Sequence, residues 1–175
     1  MKKTITILSI LVLVIIGLFI ARSVWAPTSP TKNDVKNTTY IIEGSLVRLV
    51  NGVSETPAAP DSASKITTTY FGNEATGDLN GDGKPDTAFL LTQSSGGSGT
   101  FYYVTVALQT NDGYRGTNAI LLGDRIAPQT TEIKNGVITV NYADRKSGEP
   151  MSTSPSLGIS KYFHVVSGNL EEIQK

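Results

Sequence analysis

Along most of this chain apolar side chains come in short bursts, alternating with polar ones or running unbroken, and Gly, Asn or Pro separates one burst from the next. That pattern predicts β-strands joined by tight turns. Residues 40–43 and 46–50 read as short strands, Asn51-Gly52 as a hairpin turn and 53–55 as the return, with 66–71 as the next strand. The runs 87–92 and 101–108 are rich in β-branched and aromatic residues and apolar on both faces. With the Ser94-Ser95-Gly96-Gly97-Ser98-Gly99 connection between them, they are expected to be antiparallel neighbours near the centre of a sheet. Further strands are expected at 118–122, at 130–133 joined to 137–142 through Asn135-Gly136, and at 162–166 joined to 170–173 through Ser167-Gly168-Asn169. No soluble segment keeps a long helical period, and at most one helical turn is expected, at 61–65. The fold class that follows is all-β, a sandwich or open barrel of short antiparallel strands.

The amino end breaks the pattern. Lys2-Lys3 precedes an uncharged, almost wholly apolar run over residues 4–21. As a helix this run reaches roughly 27 Å, close to a hydrocarbon core, and it is longer than the core of about 7–15 residues in a cleaved signal peptide. One uncleaved N-terminal transmembrane helix is expected, with cleavage after Val24-Trp25-Ala26 as the alternative. Lys2, Lys3 and the amino terminus outweigh Arg22, which keeps the amino end inside and sends the remainder out of the cytoplasm. The organisation is then residues 1–26 as anchor or signal segment, 27–39 as a polar, proline-containing linker, and 40–175 as a single β domain.

Charge and cysteine content narrow the function classes. The chain has 15 basic and 15 acidic residues, and Lys2, Lys3 and Arg22 belong to the anchor region, so 12 basic residues face 15 acidic ones in the exported part. That balance does not suggest nucleic acid, which requires a basic face. With no cysteine, disulfides, thiol nucleophiles, thiolate metal sites and lipid attachment at a cysteine are all excluded.

The segment Gly77-Asp78-Leu79-Asn80-Gly81-Asp82-Gly83-Lys84-Pro85-Asp86 has the most specific chemistry. A hard cation such as calcium takes about six to eight oxygen ligands. Asp78, Asn80, Asp82 and Asp86 fall at positions 1, 3, 5 and 9 of a loop, Gly83 allows the sharp reversal at position 6, and the Lys84 carbonyl turns inward at position 7. Phe89 stands at position 12 in place of a bidentate Glu, and Pro85 lacks a donor, so flanking helices are not expected; Glu74, Asp112 and Asp124 are the candidates for a final carboxylate. Three carboxylates within one turn repel one another without a cation. Asn-Gly and Asp-Gly pairs also make ordinary turns without an ion.

From Phe71-Gly72 through this loop to Val104-Thr105-Val106, the chain resembles one FG-GAP or VCBS-type repeat, a calcium-loop hairpin of integrin-like and bacterial surface proteins with a dockerin-like loop. The resemblance implies calcium as cofactor, held by Asp78, Asn80, Asp82 and Asp86. No second copy of the loop occurs, so the propeller built from such repeats is not expected.

The remaining motifs are weaker. Ser62-Ala63-Ser64-Lys65 has Ser-x-x-Lys spacing without its companion motifs, and His164 is the only imidazole. Ser94 to Gly99 lacks the lysine of a phosphate-cradling loop, and Phe101, Tyr102 and Tyr103 read as sheet core before carbohydrate platform. Asp124-Arg125 and Asp144-Arg145, at strand ends, make Arg125, Asp144 and Arg145 a possible ligand site, beside the Gly-, Pro- and Ser-rich stretch 144–160. The expectation is a membrane-tethered, extracytoplasmic calcium-binding β domain with an envelope protein or glycan as partner and no nucleic acid. The alternative is an extracytoplasmic hydrolase or enzyme accessory domain with a calcium-shaped site.

Overall fold

Four tight turns organise the chain: Glu43-Gly44, Asn51-Gly52, Asn135-Gly136 and Ser167-Gly168 each place two successive residues at positive φ. This backbone shape matches the right-handed twist of paired strands, and it favours Gly at the second position. A computed structural model describes residues 34–174, and the expected N-terminal helix lies outside them. Among the described residues no helix is long and apolar enough to cross a membrane.

The fold is all-β. Eight strands form one sheet: β1 (Thr39–Ile42), β2 (Ser45–Arg48), β3 (Val53–Pro57), β4 (Lys65–Gly77), β5 (Asp86–Ser94), β6 (Phe101–Thr110), β7 (Gly113–Gly116) and β8 (Asn118–Asp124). Their order is β2-β1-β8-β6-β5-β4-β3, with β7 paired to β6. The sheet curls into a nearly closed barrel, and a bridge between Val50 and Val53 joins the ends of its two edge strands. A second sheet of β9 (Ala127–Lys134), β10 (Val137–Asp144), β11 (Leu157–Val166) and β12 (Asn169–Ile173), in the order β12-β11-β10-β9, packs on the outside of the barrel.

Each side of β5 and β6 therefore has its own core. Phe89, Leu91 and Tyr103 point inside with Tyr40, Ile42, Val47 and Leu49. Ala88, Leu90, Val104 and Val106 point outward against Ile138, Val140, Tyr142 and Phe163 of the second sheet. Full burial of a large apolar side chain is worth about 1.5–3 kcal/mol, so these doubly covered strands anchor the molecule. Inside, Phe89 meets the Tyr40 ring edge-on at 5.4 Å.

Two expectations are corrected. The strands are not all antiparallel, since β1 and β8 run parallel with Ile41 opposite Asn118 and Ile42 opposite Ala119. Nor are they all short: β4 spans 13 residues and keeps pairing with β5 across two register shifts, where Gly72 and its neighbours bulge. The β7 strand was not expected, because Gly113–Gly116 carries almost no apolar signal.

One end of the barrel is closed by a 3₁₀ turn, Val35–Asn37, which acts as a plug. The Asp34 carboxylate caps it by accepting from the Lys36 amide at 2.9 Å, and Val35 is buried in the inner core. The Tyr40 hydroxyl donates to the Val35 carbonyl at 2.7 Å from inside the barrel, and burial pushes its phenol far above the usual tyrosine range. The start of β1, the end of β2, the 78–85 loop and the β6–β7 turn all lie at this plug end. The Glu43-Gly44 turn, residues 95–100 and the β8–β9 turn lie at the other.

Candidate functional site

The acidic loop begins where β4 stops, at Gly77, a position where a Cβ would come 2.7 Å from Ile133 Cγ2 on β9. Beyond it each polar side chain bends the backbone around itself. Asp78 accepts from the Gly81 amide at 2.7 Å through Oδ1 and from the Gly83 amide at 3.0 Å through Oδ2. Asn80 Oδ1 accepts from the Asp82 amide and Asp82 Oδ1 from the Lys84 amide, each at 2.9 Å. Gly81 and Gly83 both sit at φ +78°, which these overlapping turns need. The Gly83 amide, helped by its neighbours, holds the exposed Asp78 carboxyl below the usual carboxylate range.

Asp86 has a task that spacing alone did not reveal. As the first residue of β5 it is fully buried, accepting from the Leu79 amide at 3.0 Å and from the Gln109 amide of β6 at 2.8 Å. Burial pushes its carboxyl upward against those two donors, and the fields of Asp82 and Asp78 add to the rise. Leu79 turns down into the outer core, and Lys84 Nζ donates to Asn111 Oδ1 at 2.8 Å in the β6–β7 turn. The loop is thus fastened to β6 from beneath and from its side.

Asp78, Asn80 and Asp82 remain on the exposed rim of the loop. Among the described residues no three His, Cys, Asp or Glu side chains converge as a metal centre. The loop donors are nevertheless all oxygen, and a carboxylate oxygen that accepts one N–H keeps further lone-pair capacity. That donor set suits a hard cation, provided the Asp78 and Asp82 side chains draw together around it. Of the further carboxylates considered, Asp112 stands next to Asn111 in the β6–β7 turn. Glu74 accepts from the Tyr70 hydroxyl beside a cavity of about 270 Å³, and Asp124 is at the opposite end of the barrel.

At that opposite end the structure does bring Arg125, Asp144 and Arg145 together, and it engages them in holding loops. Arg125 donates to Asp124 through Nη2 at 2.8 Å and through Nε at 3.1 Å, while Asp124 also accepts from the Thr100 amide at 2.9 Å. The Arg125 fork keeps the Asp124 carboxyl below its usual range. Arg145 donates from Nε to the Thr153 carbonyl at 2.6 Å and from Nη1 to the Arg125 carbonyl at 3.1 Å. Asp144 accepts from the Arg145 amide at 2.7 Å, and its carbonyl takes the Ser156 amide at 2.9 Å. The stretch 145–156 is therefore tied down at both ends.

The weaker motifs resolve into structural pairs. Lys65 Nζ pairs with Glu55 at 2.6 Å, and Ser62 Oγ accepts from the Ser64 amide, so serine and lysine do not form a dyad. His164 lies across from Glu171 at 3.6 Å on paired strands. Tyr103 is core, its hydroxyl donating to Glu43 at 2.9 Å, while Tyr102 meets Phe71 edge-on at 5.2 Å.

Sequence reasoning missed a polar cleft of about 420 Å³ at the plug end, lined by Thr39, Arg48, Asp112, Tyr114, Arg115 and Gly116 among others. Its two arginines are distant in sequence, and no motif links them. No family model, no curated protein and no solved structure matches the chain.

Proposed function

We propose that this chain is a membrane-tethered, extracytoplasmic β domain whose 78–86 loop takes up calcium, and that it serves as a binding or structural module at the cell envelope. The observation carrying this reading is the loop itself. Asp78, Asn80 and Asp82 are pre-folded around their own backbone amides, and Asp86 and Lys84 fasten that turn to β6. Calcium would be held by Asp78, Asn80 and Asp82 with the Lys84 carbonyl, and it supplies the positive charge that their crowding calls for. Asp86 then acts as the floor of the site, keeping the turn in register with the barrel. The apolar run 4–21 carries the tether. The described chain starts at Asp34 on the plug end, which is also the loop end.

Thermal unfolding of the full chain in mild detergent, with chelator, with calcium and with magnesium, tests the reading. At roughly 100-fold excess over its dissociation constant, calcium should add about 2.7 kcal/mol and raise the midpoint by roughly 8 °C. Magnesium should not, and Asp78→Ala with Asp82→Ala should abolish the rise. Coincident curves in chelator and calcium would sink the proposal.

A further inference from the structure

We propose that the cleft at the plug end of the barrel binds a small polar molecule carrying a phosphate or carboxylate group, gripped by Arg48 and Arg115. This stands apart from the calcium reading. A volume of about 420 Å³ falls within the range of small-ligand sites, roughly 300–1,000 Å³. Arg48 ends β2 directly opposite Thr39 of β1 and supplies one wall, while the β6–β7 hairpin supplies the other with Asp112, Tyr114 and Arg115. Gly116 forms the seam between them. A Cβ there would lie 2.3 Å from the Thr39 carbonyl oxygen, so only glycine lets β7 approach β1 this closely.

The partner state of the lining side chains points to a ligand. Asn37 and Thr38, at the back of the cleft, are engaged with Asp34. By contrast Arg48, Arg115, the Asp112 carboxylate and the hydroxyls of Thr39 and Tyr114 have no hydrogen-bond or ion-pair partner among the described residues. Arg115 is nevertheless positioned. Its guanidinium lies against the backbone of Gly168 in the β11–β12 turn, where a Cβ would come 2.5 Å from Nη2. A guanidinium already docked on a turn loses less freedom when it binds.

Two guanidinium forks suit an oxyanion, which accepts paired N–H bonds in one plane. Asp112 and the two hydroxyls are placed to take hydroxyl or amine protons from the rest of the same molecule. An extended anionic surface fits less well, because Glu74, Asp78 and Asp82 stand exposed at the same end and would repel it.

The test is a ¹H–¹⁵N titration of the full chain in detergent micelles, in the presence of chelator, with inorganic phosphate in one arm and glucuronate in the other. Saturable shifts of the Thr39, Arg48, Arg115 and Gly116 amides are expected in at least one arm, and the arm that responds identifies the oxyanion. Arg48→Gln with Arg115→Gln should weaken that binding about tenfold or more, equivalent to at least about 1.4 kcal/mol. Both arginines are exposed, so the double variant should keep its dispersed spectrum; if it does not, the two single variants carry the same comparison. No saturable shift in either arm, or unchanged affinity in the variants, overturns the proposal.

Discussion

Two pairs of arginines sit at opposite ends of the barrel in opposite states. Arg125 and Arg145 have their donors engaged by the Asp124 carboxylate and by the carbonyls of Arg125 and Thr153, fastening the β8–β9 turn to the 145–156 stretch. Arg48 and Arg115 face a cleft without a partner among the described residues. The same fork closes a loop where carbonyls surround it and leaves a site open where they do not. The first pair is signalled by adjacency of Asp and Arg along the chain, whereas the second is assembled only by strand pairing. The acids divide in a parallel way, with Asp78 and Asp82 on the rim of their loop and Asp86 buried beneath it.

The largest effect should come from breaking the floor of that loop. Asp86→Ala leaves the Leu79 and Gln109 amides without their acceptor, and two such losses should cost about 3 kcal/mol, measured by denaturant unfolding without added calcium. A cost under about 0.5 kcal/mol, typical of surface positions, would show that Asp86 is not the clamp.

Next, the arginines can be compared directly. Arg145→Ala should cost about 1–2 kcal/mol and speed hydrogen exchange through residues 146–156, because it removes both loop ties. Arg48→Ala and Arg115→Ala should each stay within about 0.5 kcal/mol of the parent. Equal costs at the two ends would erase the distinction between a structural and an available arginine.

The smallest effect is a difference in pH slope. The raised carboxyl of Asp86 binds its proton more tightly folded than unfolded, so its contribution to stability falls as pH rises above the ordinary value of 3.8 toward the folded value. Asp124 is lowered, so its contribution is present above 3.8 and disappears as pH falls through its folded value. Unfolding free energies between about pH 2.5 and pH 7 should therefore show the gap between parent and Asp86→Asn shrinking with rising pH, and the gap to Asp124→Asn growing. Parallel gaps would contradict the assignment.

The turns were legible in the residues because their rules are short-range. Asn51-Gly52 and Asn135-Gly136 adopt the positive φ pair that their chemistry favours, although only the second joins two paired strands: β2 and β3, on either side of Asn51-Gly52, are opposite edges of the sheet and share just the Val50–Val53 bridge. The unbroken apolar runs of β5 and β6 announced burial on both faces. The Asn80-Gly81 and Asp82-Gly83 pairs likewise announced turn chemistry, whereas the way Asp78, Asn80 and Asp82 accept from the loop's own amides came only with the structure. Tertiary structure alone decided the parallel β1–β8 pair, the plug in the barrel mouth, the burial of Asp86 and the meeting of Arg48 with Arg115 around one cleft. Each of these depends on which distant strands come to lie side by side. Side-chain periodicity says that a strand has a buried face, and nothing in it says against what that face will pack.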